Sequence, residues 1–318
     1  MKITGTFLCG TEVDIPANNW SEKEWRREFR IMREIGIDTV ILIHSGFLKL
    51  PTFPSEVLKK HVKGLRPCYA DLPALFLELA EENNMSFYPG TYVGAMWGYT
   101  AENCDLIKPR ELEINKEFID EIWDRYGKSK AFAGWYNSFE LNTEWSCCTD
   151  TVREISRHAK KISGDLPVLL SPYYIPISHY KRKNKPFPEG VIDEESNLKY
   201  HAKCWDKMLG ELEGAVDMIA FQDGVECEMD AFLKTNSELF QKHRIKQWSN
   251  VETFAHNTAI RFPPADWNEL RWKLETSAAE GHIEKLISFE LPHFMSPNSF
   301  WPSGRCLFER YCEYIGKY

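Results

Sequence analysis

Eight short apolar runs punctuate the chain at a spacing of about 40 residues, the period of a strand and the helix that follows it. They are Ile3–Leu8, Thr39–Ile43, Ser86–Thr91, Phe132–Tyr136, Val168–Ser171, Met218–Phe221, Gln247–Val251 and Leu286–Phe289. All are apolar or β-branched and alternate poorly with polar residues. That is the pattern of parallel strands buried on both faces.

The stretches between them carry helical spacing with start and stop signals. Ser21 and Glu24 form a capping box, Trp20 can staple onto Trp25, and Trp25, Phe29 and Met32 fall on one face before Gly36. Asp71 with Pro73 opens a second helix, and Arg110–Tyr126 forms the third. Thr149 or Asp150 starts the fourth, and His201–Leu212 is the fifth. Asp230–His243 follows, Asp266 with Glu269 opens the seventh, and the last spans about Gly304–Tyr318 with Phe308, Tyr311 and Ile315 on one side. Eight alternations predict an α/β chain folded as one (β/α)8 TIM barrel over residues 1–318, a single domain. Two long connections, Ser45–Ala70 and Tyr173–Lys199, fall after strands and so at the catalytic end; the second, polar and Pro-rich, reads as a mobile lid.

Composition narrows the function. Hydrophobic residues make up 43%, enough for a sizeable core, and the net charge is −8 with no Lys/Arg-rich block. Nucleic acid and anionic membranes are therefore not expected partners. The N-terminus lacks the apolar core of a signal peptide, and no run of about 18 apolar residues is present. Nine scattered cysteines, an odd number, read as reduced thiols in a cytoplasm. The neighbours Cys147 and Cys148 do not have a zinc-ligand spacing. No nucleotide-phosphate loop, HExxH or CxxC occurs, so no cofactor and no metal are expected.

The candidate chemistry lies at the strand ends. Glu140, Asp223, Glu252 and Glu290 each close an apolar run, and a barrel delivers such positions to one mouth. Glu140 and Glu252, at the ends of strands four and seven, face each other across such a mouth. Two facing carboxylates suit glycoside hydrolysis, one as acid and the other as nucleophile or base. Asp223, Glu290, His293, His44 and Asn250 are candidate substrate contacts. Tyr136, Trp97, Tyr173 and Trp301 add aromatic faces on which sugar rings stack. The expected partner is a carbohydrate, a small glycoside or oligosaccharide. Two other readings stay open: a metal-dependent sugar isomerase or epimerase, held by the same carboxylates and His293, and a non-catalytic carbohydrate-binding barrel.

Several segments together resemble a known bacterial family. They are Gly5-Thr6-Phe7, Asp14-Ile15-Pro16, Asn19-Trp20, Gly36-Ile37-Asp38-Thr39-Val40, Gly134-Trp135-Tyr136 with Glu140, Ser171-Pro172-Tyr173, Ala220 to Gly224, Trp248 to Glu252 and His293 to Ser299. This set resembles the domain-of-unknown-function 4434 family, from near residue 3 to near residue 313. The resemblance implies a glycosidase-like barrel. Retaining barrel glycosidases place their acid on strand four and nucleophile on strand seven, which matches Glu140 and Glu252. Their acid usually follows Asn, whereas here Phe139 precedes Glu140.

Overall fold

The structure is a computed structural model that describes residues 1–11, 19–95, 104–224, 229–256, 259 and 262–317. In chain order it runs β1 (Ile3–Leu8), α1 (Glu22–Ile35), β2 (Thr39–Leu42), β3 (Gly46–Phe47), β4 (Leu50–Pro51), α2 (Glu56–His61) and α3 (Leu72–Asn83). Next come β5 (Ser86–Pro89), β6 (Tyr92–Val93), α4 (Cys104–Tyr126), β7 (Trp135–Asn137), α5 (Thr149–Ile162), β8 (Val168–Leu170), α6 (Ile177–Lys183) and α7 (Glu194–Leu212). The chain ends with β9 (Met218–Gln222), α8 (Met229–His243), β10 (Lys246–Glu252), α9 (Trp267–Glu280), β11 (Lys285–Phe289), α10 (Leu291–Phe294) and α11 (Pro302–Tyr314).

Eight of these strands are parallel neighbours in the order β5-β2-β1-β11-β10-β9-β8-β7. Parallel bridges from Phe87 to Phe132 and from Gly90 to Tyr136 join the two ends of that row and close the barrel. The fold is thus the expected (β/α)8 barrel. Each barrel strand is followed by its own long helix: α1, α3, α4, α5, α7, α8, α9 and α11. The remaining elements β3, β4, β6, α2, α6 and α10 all lie between a strand and its helix, on the mouth side. β3, β4 and β6 form a three-stranded sheet there.

The local signals act as the sequence suggests. Ser21 accepts from the Lys23 amide while its own N–H donates to Glu24 Oε2 at 2.9 Å. Trp20 meets Trp25 edge-to-face, with ring centroids 5.0 Å apart. Gly36 ends α1 at φ 92°, a conformation that a side chain disfavours. Asp266 caps α9 by accepting from the Asn268 and Glu269 amides.

Three expectations need correction. α4 starts at Cys104 rather than Arg110, with Pro109 inside it; the missing N–H forfeits one helical bond, but packing carries the helix through. α7 starts at Glu194 rather than His201, because Asp193 and Ser196 make a capping box that the sequence reading passed over. The two long connections are not irregular. Residues 45–70 fold into β3, β4 and α2, and 173–199 hold α6 and the first turns of α7, anchored by buried Tyr174, Ile175, Tyr180 and Val191. Among the described residues no helix is long and apolar enough to cross a membrane.

Candidate active site

The four carboxylates do converge on the C-terminal ends of the barrel strands, but they meet different surroundings. Glu140 follows β7 by three residues. Buried Ser138 fixes that turn by donating from Oγ to the Ile43 carbonyl at 2.6 Å and from its backbone N–H to Thr91 Oγ1 at 3.1 Å. Gln222, the last residue of β9, donates its amide to Glu140 Oε1 at 3.2 Å and to the Ser171 carbonyl at 2.9 Å. Asn250 on β10 donates to Ser171 Oγ at 3.1 Å. A continuous polar chain, Glu140–Gln222–Ser171–Asn250, therefore spans the ends of four adjacent strands. Asn250 and Glu252 are two apart on β10 and share a face of it.

Glu252 closes β10 and is nearly buried. Its Oε2 pairs with His256 Nε2 at 2.7 Å, and its backbone N–H donates to Asp223 Oδ1 at 2.8 Å. Lys273, reaching in from α9, has no exposed side-chain surface. Its ammonium lies 3.1 Å from the Glu252 carbonyl, 3.3 Å from Asp223 Oδ1 and 3.2 Å from Glu269 Oε1. Two basic groups thus balance a cluster of three acids. Burial, together with the negative charge of Glu252, lifts the Asp223 pKa to about 6 against the pull of Lys273. Burial disfavours a charged His256, but its bond to Glu252 outweighs that and raises its pKa. Lys273 is raised too: burial opposes its charge, and Asp223, Glu252 and Glu269 more than restore it.

Gly224 is part of this geometry. A Cβ there would run into Glu252 Oε2 and His256 Nε2, so any larger residue would displace the ends of those two side chains.

Glu290 caps the end of β11, and its Oε2 accepts from the Cys9 N–H at 2.8 Å, tying the eighth barrel strand to the first. His293 lies on α10, with its ring against Phe294 and its carbonyl accepting from Ser299 Oγ. His44 follows β2, fully buried and tilted on Phe47 at 4.7 Å, with neither ring nitrogen bonded among the described residues; burial pushes its pKa down to about 3. Tyr136 is buried inside the barrel, edge-on to Phe7 at 5.0 Å. Burial and then the charge of Glu140 raise the pKa of both Tyr136 and Tyr173, which puts both phenols near that carboxylate. Tyr173 also meets Trp145 edge-on at 5.9 Å. Trp301 caps α11 and contacts Phe300. Trp97 lies outside the described residues. The acids and His293 make no grouping with metal-ligand spacing among the described residues.

This sequence matches the family described as "Domain of unknown function (DUF4434)" over residues 3–301. The chain belongs to the DUF4434 family. No curated protein matches it. A solved Bacteroides thetaiotaomicron structure, provisionally named an alpha-L-fucosidase, is similar at 38% identity and TM-score 0.87, covering 99% of this chain and 94% of its own. An endo-1,4-beta-D-mannanase from Thermotoga petrophila has the same fold at 13% identity and TM-score 0.62, with 100% of both chains covered. A beta-galactosidase from Marinomonas ef1 is similar at 11% identity and TM-score 0.58, covering 100% of this chain and 59% of its own.

In this DUF4434 member two of the family segments fall at the candidate site: Ala220–Gly224 and Trp248–Glu252 carry Gln222, Asp223, Gly224, Asn250 and Glu252. The sequence reading missed Lys273, His256 and Gln222. Lys273 left a signal. It occupies a core position of α9, in line with buried Leu270, Leu274 and Ser277, where a lysine requires an acidic partner. Gln222 left none, because it matters only through contacts with neighbouring strands, whereas His256 lies four residues after Glu252 and pairs with it locally.

Proposed function

We propose that this protein is a glycoside hydrolase, with Glu140 and Glu252 as its carboxylate pair at the mouth of one barrel domain formed by the whole chain. The observation that carries the reading is the placement of these two side chains. They come from the fourth and seventh barrel strands to one rim, and a polar chain runs from Glu140 through Gln222 and Ser171 to Asn250, two residues before Glu252 on the same strand. The fold shared with glycosidases, and the similar structure provisionally named an alpha-L-fucosidase, support the same class.

Glu140 accepts from the neutral amide of Gln222 beside the phenol of Tyr173, a setting suited to handing a proton to a leaving oxygen. Glu252 has an imidazole against one oxygen and Lys273 behind its backbone, a setting suited to attack on carbon or activation of water. Tyr173, Trp301 and Trp97 would supply stacking faces. Asn250, His44, His293, Asp223 and Glu290 would bind hydroxyls or hold the rim in shape.

The test is hydrolysis of a panel of 4-nitrophenyl glycosides that includes the alpha-L-fucoside, with the stereochemistry of the first product read by NMR. Glu140→Gln and Glu252→Gln should each lower kcat by about three orders of magnitude or more with the fold intact. Retention would require the carboxyl groups about 5–5.5 Å apart, inversion about 6.5–9.5 Å. Full activity in either variant would reassign the pair, and no turnover of any glycoside by the wild type would defeat the reading.

A further inference from the structure

Three thiols from two distant parts of the chain meet beside the mouth. Cys104 is the first residue of α4. Cys147 and Cys148 lie in a one-turn 3-10 helix, Ser146–Cys148, that leads into α5. Cys104 Sγ is 3.4 Å from Cys148 Sγ, Cys147 Sγ is 3.9 Å from Cys148 Sγ, and all three sulfurs fall within 4.8 Å of one another. Cys104 and Cys148 are buried, and Cys147 is half-buried.

We propose that Cys104, Cys147 and Cys148 form a site for a thiophilic d10 cation, Zn2+ being the abundant case. Geometry supports it first. Three sulfurs each about 2.3 Å from a zinc ion, at tetrahedral angles, stand about 3.8 Å apart, which the observed separations bracket. Donor chemistry agrees, since clustered thiolates select soft cations over hard ones. Charge is also provided for. α5 begins directly after Cys148, placing the positive end of its dipole beside that residue, and Lys108, paired with Asp105 and Asp150, has its ammonium 3.2 Å from the Cys147 carbonyl. The half-buried side of Cys147 leaves the fourth position to solvent. Free thiols packed as small apolar groups are the ordinary alternative, but three side chains brought together from two separate segments go beyond what packing requires.

The site would tie the start of α4 to the connection after the fourth barrel strand. The latter also carries Glu140, and Asn142 braces it by accepting from the Glu144 and Trp145 amides. A bound cation would therefore act as a structural clamp behind that loop. The inference does not depend on the proposed hydrolysis, and its test reads metal rather than activity.

The experiment uses the full chain, reduced with a phosphine and stripped of metal. Cd2+ is titrated while thiolate-to-metal absorbance is followed, and Zn2+ then competes in the presence of a chromophoric chelator. One equivalent should bind with release of protons, and Cys104→Ser and Cys147→Ser should each weaken binding by on the order of 100-fold. Cys306→Ser, at an exposed thiol on α11, should leave it unchanged. Should Cys104→Ser fail to fold, the half-buried Cys147→Ser carries the test. Equal affinity in the cysteine-cluster variants, no saturation at micromolar metal, or a Cys104–Cys148 disulfide that reductant fails to open would each overturn the proposal.

Discussion

Lys273 Nζ lies 3.3 Å from Asp223 Oδ1, with the two side chains 0% and 1% exposed. A buried ammonium is tolerable only with acids around it; Asp223 and Glu269 provide them, and the Glu252 carbonyl accepts a further hydrogen bond. Lys273→Met should therefore cost about 3–5 kcal/mol in urea unfolding, since it strands Asp223 in the core. Adding Asp223→Asn should recover part of that loss. A double variant no more stable than the sum of the singles would mean the two groups are not coupled.

Gly224 tests how tightly the Glu252–His256 pair is held. Gly224→Ala puts a methyl group where those two side chains meet. The backbone can keep its conformation, so stability should fall by only about 1–3 kcal/mol. Glycoside turnover should fall far more, by about 10- to 100-fold, because a displaced carboxylate is poorly aligned. A proportionate loss of both would show that the pair has no special role.

Glu28 gives a pH signature away from the site. It is fully buried on α1, and its Oε2 accepts from Ser296 Oγ at 2.9 Å and Asn298 Nδ2 at 2.7 Å. Burial lifts its pKa to about 7, against the pull of those two bonds. Its folded pKa is above the unfolded value near 4.5, so the folded state holds the proton more tightly. That contribution to stability is full below pH about 4.5 and is lost as pH rises to about 7. Glu28→Gln removes this dependence. The variant should gain about 3 kcal/mol on the wild type between pH 4.5 and pH 7.5, read as a double difference in denaturant midpoints. A constant difference across that window would place the Glu28 pKa near its ordinary value.

His44 buries two polar nitrogens that have no partner among the described residues. His44→Phe keeps the ring against Phe47 and removes a desolvation cost of about 1–3 kcal/mol, so Tm should rise. The folded pKa, near 3, is below the unfolded value of 6.5, so the wild type loses stability as pH falls through that range. The advantage of the variant should widen accordingly. An increase in KM for the glycoside would keep His44 among the substrate contacts, and an unchanged KM would remove it.

The barrel was legible in the sequence because its signals are local. Eight doubly buried strands leave near-continuous apolar runs, and Ser21, Gly36, Asp71 and Asp266 act within one turn of themselves. The positions of Glu140, Asp223, Glu252 and Glu290 followed from strand phase alone, since a parallel barrel sends every strand end to one rim. What each acid does there was not legible. Asp223 and Glu290 are both strand-end acids in the sequence, yet one is bound to a buried lysine and the other to the Cys9 amide. The tertiary structure decided that, because a buried charge is defined by whichever group lies within about 3 Å of it, and such neighbours come from anywhere in the chain. Lys273 reaches Asp223 across 50 residues of sequence, and Cys104 reaches Cys148 across 44. Spacing along the chain cannot encode such meetings; closing the ring of strands brings them about.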